Sequence, residues 1–241
     1  FFLLPNQTPL RLTQTRFEGR ILAQPCSNGS SEMMSNLSTS LVSILYNFQL
    51  MRLIGEDGVA AFGVIMYVNF IFIGVFMGYS IGAGPIVSFH YGAGNQEELR
   101  SLLRKSLLLM LAGCAGLTAA AVGMAFPLSR IFVSYDTDLL ALTTRGFRLY
   151  ALSFLAMGFN IFGSAFFTAL SNGPLSAAIA FLRTLLFQVA AIFLLPLFLG
   201  LDGIWLAVTA AELLTLAITA VFLLTQRTRY GYGSAAEESA P

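Results

Sequence analysis

Polar side chains recur along one face of the first long apolar segment of this chain. Glu32, Asn36, Thr39, Ser43 and Asn47 follow one another at spacings of four, three, four and four residues, which is the period of one helix face. Polar groups are costly in hydrocarbon, so this face is expected to meet the interior of a helix bundle or a watery cavity. For the Ser and Thr members, hydrogen bonding between helices explains the pattern equally well.

Glu32 is the member of this polar face that can carry a charge. A carboxylate in apolar surroundings can exchange a proton or bind a cation. Glu32 lies about ten residues, or roughly 15 Å, into its helix, which is near the middle of a membrane span. The sequence therefore predicts Glu32 as a cation-coupling residue, with Na⁺ or H⁺ as the coupling ion. It predicts no cofactor and no catalytic residue, and Na⁺ at Glu32 is the one metal considered.

Arg183 and Glu212 form a second charged constellation. Each lies about nine residues beyond a turn, so each is roughly 14 Å from the end of its own helix. Both depths correspond to the middle of a hydrocarbon core about 30 Å thick. We expect the two side chains to pair as a structural ion pair, which is favoured over a direct role in transport.

A later helix supplies three further candidates, Tyr150, Met157 and Asn160, among many Phe residues. Asn160 is polar at depth but cannot ionise. With the polar members of the first helix, these three side chains are candidates for a cavity or substrate path, and ordinary packing is the alternative.

The elements that must position these residues are apolar helices. Hydrophobic residues make up 56% of the chain and charged residues 10%, far from the roughly 25% charged residues of soluble domains. A spanning helix needs about 20 mostly apolar residues, and uncharged stretches of that length recur along the chain. The sequence predicts an all-α integral membrane protein, a bundle of six transmembrane helices. The predicted spans are 22–52, 57–86, 99–127, 139–170, 174–199 and 203–226.

Charge placement predicts the topology of the bundle. With six spans, eight Lys and Arg residues fall on the side of both ends and four fall towards the other side, which predicts cytoplasmic termini. Residues 1–20 are expected to be a cytoplasmic linker that includes the end of a preceding helix, 21–229 the membrane lobe, and 230–241 a disordered cytoplasmic tail.

Asn95 is expected to cap the third helix. The turns at 55–58 and 200–203 resemble one another, which hints at an internal repeat.

Enzymatic and nucleic-acid functions find little support in the sequence. The chain has one histidine, His90, and no Ser/His/Asp or Cys/His set, and "GAGNQE" lacks the third glycine of a dinucleotide-binding loop. A net charge of +1 gives no basic patch for nucleic acid. His90 is expected to be structural, near the membrane boundary.

Five stretches together resemble one lobe of a known transporter family. The chain is similar, from about residue 11 to 232, to the carboxy-terminal lobe of multidrug and toxin extrusion (MATE) transporters of the bacterial multidrug-exporting branch. The stretches are "NGSSEMMSNLSTSLVSILYN" (28–47), "GEDGVAAFGVIMYVNFIF" (55–72), "GYSIGAGPIVSFHYGAGNQEELR" (78–100), "RGFRLYALSFLAMGFNIFGSAFFTALSNG" (145–173) and "GLDGIWLAVTAAE" (200–212).

The resemblance implies twelve helices in two lobes around a central cavity, in a bacterial plasma membrane. It implies export of small cationic, often aromatic drugs in exchange for Na⁺ or H⁺. Glu32 matches an acidic residue that takes part in cation coupling or drug binding in many members. Asn160 stands where a well-studied branch has an aspartate, so coupling would rest on Glu32 or on carboxylates of the missing amino-terminal lobe.

The sequence leaves two other functions open. A lipid-linked oligosaccharide flippase shares the general fold, although a more cationic cavity is expected of it. An inactive truncated membrane scaffold is the second, because half a transporter lacks its opposing lobe. The expected partners are membrane lipid, small cationic drugs and that amino-terminal lobe.

Overall fold

The structure is a computed structural model that describes residues 19–232, and side chains in the first part of its first helix lie outside the description. Long helices account for almost all of the described residues, as predicted. In chain order they are α1 (Gly19–Leu53), α2 (Glu56–Gly92), α3 (Gln96–Val133), α4 (Thr137–Ala151), α5 (Phe154–Ala169), α6 (Gly173–Phe181), a π-helical segment (Leu182–Phe187), α7 (Gln188–Leu199), α8 (Leu201–Thr225) and α9 (Arg227–Tyr230).

These helices correspond to the six predicted spans. In the described range, four continuous segments are long and apolar enough to cross a membrane: α2, α3, the run from α6 through α7, and α8. The bent pair α4 and α5 makes a fifth if it counts as one span. Helix α1 has 35 residues, which is long enough to cross, but its polar residues make it less apolar than these segments. The predicted all-α membrane fold is confirmed.

Short turns join successive spans, so the spans alternate in direction and the turns lie at two opposite faces of the bundle. The turns before α2, α4 and α8 lie at one face, called here the far face. The turns before α3 and α6 lie at the opposite face, with the two ends of the described chain. The core between the helices is aromatic: Phe72 stacks on Phe154 with ring centres 5.1 Å apart, and Trp205 is fully buried.

The span predicted as one helix over 139–170 is in fact broken. Helices α4 and α5 meet at an angle of 48°. At the break, Ser153 N donates to the carbonyl of Tyr150 three residues back, and Thr209 Oγ1 on α8 donates to the carbonyl of Leu149. A side chain that enters the helical hydrogen-bond ladder in this way bends a helix without proline, which is why no residue pattern within the span signals the break.

The two similar turns use glycine in the same way. Gly55 and Gly200, which precede α2 and α8, have φ of 90° and 57°, a region that only glycine adopts readily. Three residues later, a Cβ at Gly58 would meet Ile54, and one at Gly203 would meet the backbone of Leu195. The shared pattern therefore reflects two turns in which each helix packs closely on the residues before it.

The other turns and the end of the described chain are fixed by side-chain bonds. Glu98 N donates to Asn95 Oδ1 at 3.2 Å, which confirms the predicted cap. Near the carboxyl end, Asn172 Nδ2 donates to Tyr230 Oη at 2.7 Å and Tyr232 Oη donates to the carbonyl of Leu223. Burial raises the pKa of the Tyr232 phenol. The packed part of the chain thus extends three residues past the predicted boundary at 229.

Candidate functional site: a buried ion pair and a polar helix face

A buried ion pair crosses the bundle between the π-helical segment and α8. Arg183 Nε donates to Glu212 Oε1 at 2.8 Å, as the depths of the two residues in the sequence predicted. The Glu212 side chain is 4% exposed and that of Arg183 is 17% exposed. A buried carboxylate is tolerated only where a partner charge and hydrogen bonds compensate its lost hydration.

Asn160 on α5 completes the surroundings of this carboxylate. Its Nδ2 lies 2.8 Å from Glu212 Oε2 and 2.8 Å from the Glu212 backbone carbonyl, and it donates to both. Thr219, two turns further along α8, donates from Oγ1 to Asn160 Oδ1 at 3.0 Å. Both carboxylate oxygens of Glu212 are therefore bonded, one to a cation and one to a neutral amide.

Local backbone geometry brings the π-helical segment, α5 and α8 together at the ion pair. A π-helical turn adds a residue to the helix, and such turns often occur at functional sites. The π-helical segment here carries Arg183. The neighbouring Thr184 donates from Oγ1 to the carbonyl of Ala180. Gly163, one turn beyond Asn160, lets α5 approach α8, because a Cβ there would collide with Thr219. Small residues at such contacts are what allow membrane helices to pack closely.

Helix α1 presents three different faces. Its packed face buries Val42, Tyr46 and Leu50 against the bundle. A second face exposes large apolar side chains, among them Ile44 and Phe48, and suits contact with lipid. The third face is the predicted polar stripe: Asn36, Thr39 and Asn47 are exposed and Ser43 is half-buried.

Some hydrogen-bonding groups of the polar stripe are satisfied by backbone carbonyls of α1 itself. Asn47 Nδ2 donates to the carbonyl of Ser43 at 3.0 Å, and Ser40 Oγ donates to the carbonyl of Asn36 at 3.2 Å. The stripe therefore lies outside the interior of this bundle. Since exposed polar side chains do not face hydrocarbon, an aqueous or protein surface is expected there.

The stripe and the ion pair lie at the same depth. Tyr46 Oη donates to the carbonyl of Ile204 at 3.1 Å, which fixes the level of α1 against α8. Glu212 lies eight residues further along α8, about 12 Å deeper, and the same distance back along α1 reaches Ser38 and Thr39. The ion pair is thus level with the middle of the polar stripe.

Three residues predicted as candidates for a cavity or substrate path lie in the core of the lobe. Tyr150, Met157 and Asn160 are all buried inside the lobe, because the α4–α5 pair is the central span, enclosed by α2, α3 and α8. They line no open surface in the described part of the chain. The side chain of Glu32, the predicted coupling residue, lies outside the described residues, although its backbone belongs to α1.

Thr219 was missed by the sequence analysis. It lies seven residues after Glu212, which is two helical turns and therefore the same face of α8. That spacing was a usable signal, but threonine is common in membrane helices and only its bond to Asn160 distinguishes it.

Comparison with known proteins identifies the family. A family model described as MatE matches residues 33–194. The chain belongs to the MatE family. It is accordingly a multi-pass membrane protein with the fold of these transporters. No curated protein sequence matches this MatE chain.

Solved structures match this MatE chain over nearly its whole length. A crystal structure of MATE in complex with MaL6 is 18% identical with a TM-score of 0.84, and the match covers 96% of this chain and 53% of that one. The Vibrio cholerae MATE transporter VcmN in its bent form is 17% identical with a TM-score of 0.81, over 90% of this chain and 50% of that one. A MOP superfamily transporter from Pyrococcus furiosus, described by a reversed polarity of its binding pocket that suggests a different function, is 19% identical with a TM-score of 0.78, over 95% and 52%. The chain therefore spans about half the length of the structures it matches.

Proposed function

We propose that this chain is one lobe of a secondary active exporter, which moves small cationic compounds out of the cell in exchange for Na⁺ or H⁺. The observation that carries the proposal is the exposed polar face of α1, level with a buried ion pair. A polar face at this depth needs a partner other than lipid. In the proposal, a second lobe of similar size faces it, and water and substrate pass between the two.

Each part of the face has a role in this proposal. Asn36, Thr39, Ser43 and Asn47 offer amides and hydroxyls to substrate and water along the path. Glu32, which precedes Thr39 by two helical turns, binds the coupling ion. When a proton or Na⁺ occupies Glu32, the charge of its carboxylate is neutralised, which biases the equilibrium between inward-open and outward-open states.

The composition of the described stripe supports export of cations. Its members are neutral acceptors and donors, and no Lys or Arg belongs to it among the described residues. An exporter of an anionic lipid-linked oligosaccharide would need cations along the path. The relative from Pyrococcus furiosus with reversed pocket polarity makes this distinction worth a direct test.

Cell location and orientation are part of the same proposal. We place the protein in the plasma membrane of a bacterium, with both ends of this chain in the cytoplasm. Arg100, Arg104 and Lys105 on α3 and Arg227 and Arg229 near the end of α8 lie at the face that would then be cytoplasmic, as the positive-inside rule favours.

Reconstitution of the complete protein in proteoliposomes tests the function. Substrate-driven ion flux is measured with Na⁺ and pH gradients imposed separately, for the wild type, Glu32→Gln and Asn47→Leu. We expect both variants to lose most of the coupled flux, and the control Phe48→Leu, on the apolar exposed face one residue away, to keep it. Unchanged ion dependence in Glu32→Gln would remove Glu32 from the mechanism, and transport of an anionic lipid-linked sugar in place of cations would overturn the substrate class.

A further inference from the structure

A lateral groove opens between α3 and α4 near the far face, apart from the polar stripe on α1. Its walls include Phe126 on α3 and Leu140, Ala141 and Thr144 on α4, and two guanidinium groups, Arg145 and Arg148, border it. The cavity measures about 640 Å³, which is within the usual range of small-ligand sites, about 300–1,000 Å³. The lining is almost wholly apolar apart from these two cations and two threonines, Thr137 and Thr144.

The two arginines differ in their pairing. Arg145 Nη2 donates to Asp202 Oδ2 at 2.5 Å. Arg148, one turn deeper on the same face of α4, is exposed and makes no hydrogen bond or ion pair with any residue the structure describes between 19 and 232. With Asp202 included, the rim carries two positive charges and one negative charge, a net of +1.

A second polar group in the groove also lacks a partner. Thr144 is 8% exposed, and its Oγ1 is buried without a hydrogen bond among the described residues. Such buried hydroxyls are ordinarily bonded. The groove thus combines apolar walls, an unpaired cation and an unsatisfied hydroxyl.

The depth of the groove indicates which molecules reach it. Asp202 lies in the first turn of α8, so the arginines are level with the point where α8 enters the bundle from the far face. The adjoining α3–α4 hairpin exposes Ile131 and Tyr135, at 73% and 80%. A large exposed apolar side chain near an exposed tyrosine is typical of a surface in the interfacial zone of a bilayer.

We propose that this lateral groove binds a single anionic phospholipid of the leaflet at the far face. The phosphodiester lies against Arg148 and Arg145 and neutralises the net charge of +1, and one acyl chain occupies the groove beside Phe126, Leu140 and Ala141. A phospholipid is the occupant because it supplies both a single negative charge at interfacial depth and an apolar chain to fill the walls. The site is separate from the proposed substrate path.

Native mass spectrometry of the complete, delipidated protein tests the site with phosphatidylglycerol, phosphatidylethanolamine of the same chains, and inorganic phosphate. We expect the wild type to retain one phosphatidylglycerol more strongly than phosphatidylethanolamine. Arg148→Gln should weaken that binding about five-fold, since an arginine near a membrane surface contributes about this factor toward anionic lipid. Ala141→Trp, which fills the groove without a change of charge, should remove the bound lipid.

Two matched controls separate a specific site from general lipid adhesion. Arg130→Gln removes a cation from α3 at the same face but outside the groove, and Ile131→Trp introduces the same side chain into a neighbouring apolar groove lined by Tyr67, Ile71 and Phe132. Both should retain phosphatidylglycerol as the wild type does. The proposal fails if Arg130→Gln weakens binding as much as Arg148→Gln, if the two lipids bind equally, or if phosphate alone binds as strongly as the lipid. It also fails if Ala141→Trp changes the oligomeric mass while the bound lipid remains.

Discussion

The Asn160 amide on α5 lies 2.8 Å from both the carboxylate and the backbone carbonyl of Glu212 on α8. One neutral side chain thereby binds α8 at two acceptors, while Arg183 binds the other carboxylate oxygen. A carboxylate at position 160 would place a second negative charge beside Glu212. The single cation Arg183 would then have to compensate both charges. The arrangement explains why an amide suits this position, and it makes the central span part of the ion-pair network.

Loss of the Asn160 amide should destabilise the lobe. Asn160→Leu keeps a similar volume but leaves Glu212 Oε2 and Thr219 Oγ1 without their partner, which should cost about 1–3 kcal/mol for the unsatisfied buried groups. Thermal unfolding in detergent, followed by fluorescence of buried Trp205, measures the loss. Ser40→Ala on the exposed face of α1 is the control, and an equal effect of both substitutions would contradict the assigned role.

The ion pair should show strong coupling in a double-mutant cycle. Arg183→Met leaves a buried carboxylate without its cation and should cost about 3–5 kcal/mol, whereas Arg183→Met together with Glu212→Met should cost much less than the two single changes combined. Thermal unfolding of the four proteins gives the coupling. Strict additivity would mean that the two side chains do not interact.

The charge swap adds a functional measurement to this cycle. If the pair is structural, Arg183→Glu with Glu212→Arg should recover part of the folded yield and of the transport that each single change destroys. Recovery of folding without transport would instead indicate that the orientation of the pair matters for the transport cycle.

The close contact at Gly203 should tolerate no larger residue. A Cβ there would lie against the backbone of Leu195, so Gly203→Ala should cost about 1–3 kcal/mol through overpacking and displace the start of α8. Gly116→Ala on α3 is a matched control, because nothing lies within 4 Å of its Cβ direction. Equal melting temperatures for the two variants would contradict the contact.

The polar stripe on α1 should be accessible to water in the assembled protein. In a background with Cys26→Ser and Cys114→Ala, a membrane-impermeant thiol reagent should label Ser43→Cys and Asn47→Cys. Ile44→Cys and Phe48→Cys, on the apolar face, should stay unlabelled because thiols in hydrocarbon remain protonated and beyond the reagent's reach. The opposite pattern would place the stripe against protein or lipid.

The sequence by itself determined the helical membrane fold, because apolar runs of spanning length and the turn glycines, such as Gly55 and Gly200, are local properties of the chain. It also determined that Arg183 and Glu212 would meet, since depth follows from the number of residues between a charge and the end of its helix. The period of the polar stripe likewise predicted one face of α1, and the structure separates that face from the two apolar ones.

Tertiary structure alone decided the rest. The break between α4 and α5 arises from Thr209 on another helix, which no pattern within residues 139–170 encodes. Tyr150, Met157 and Asn160 lie in the core of this lobe, because the rotation of the central span is set by its neighbours. The amino-acid order sets the height of a residue along its helix and the spacing of its faces; the direction in which each face points depends on which helices pack around it.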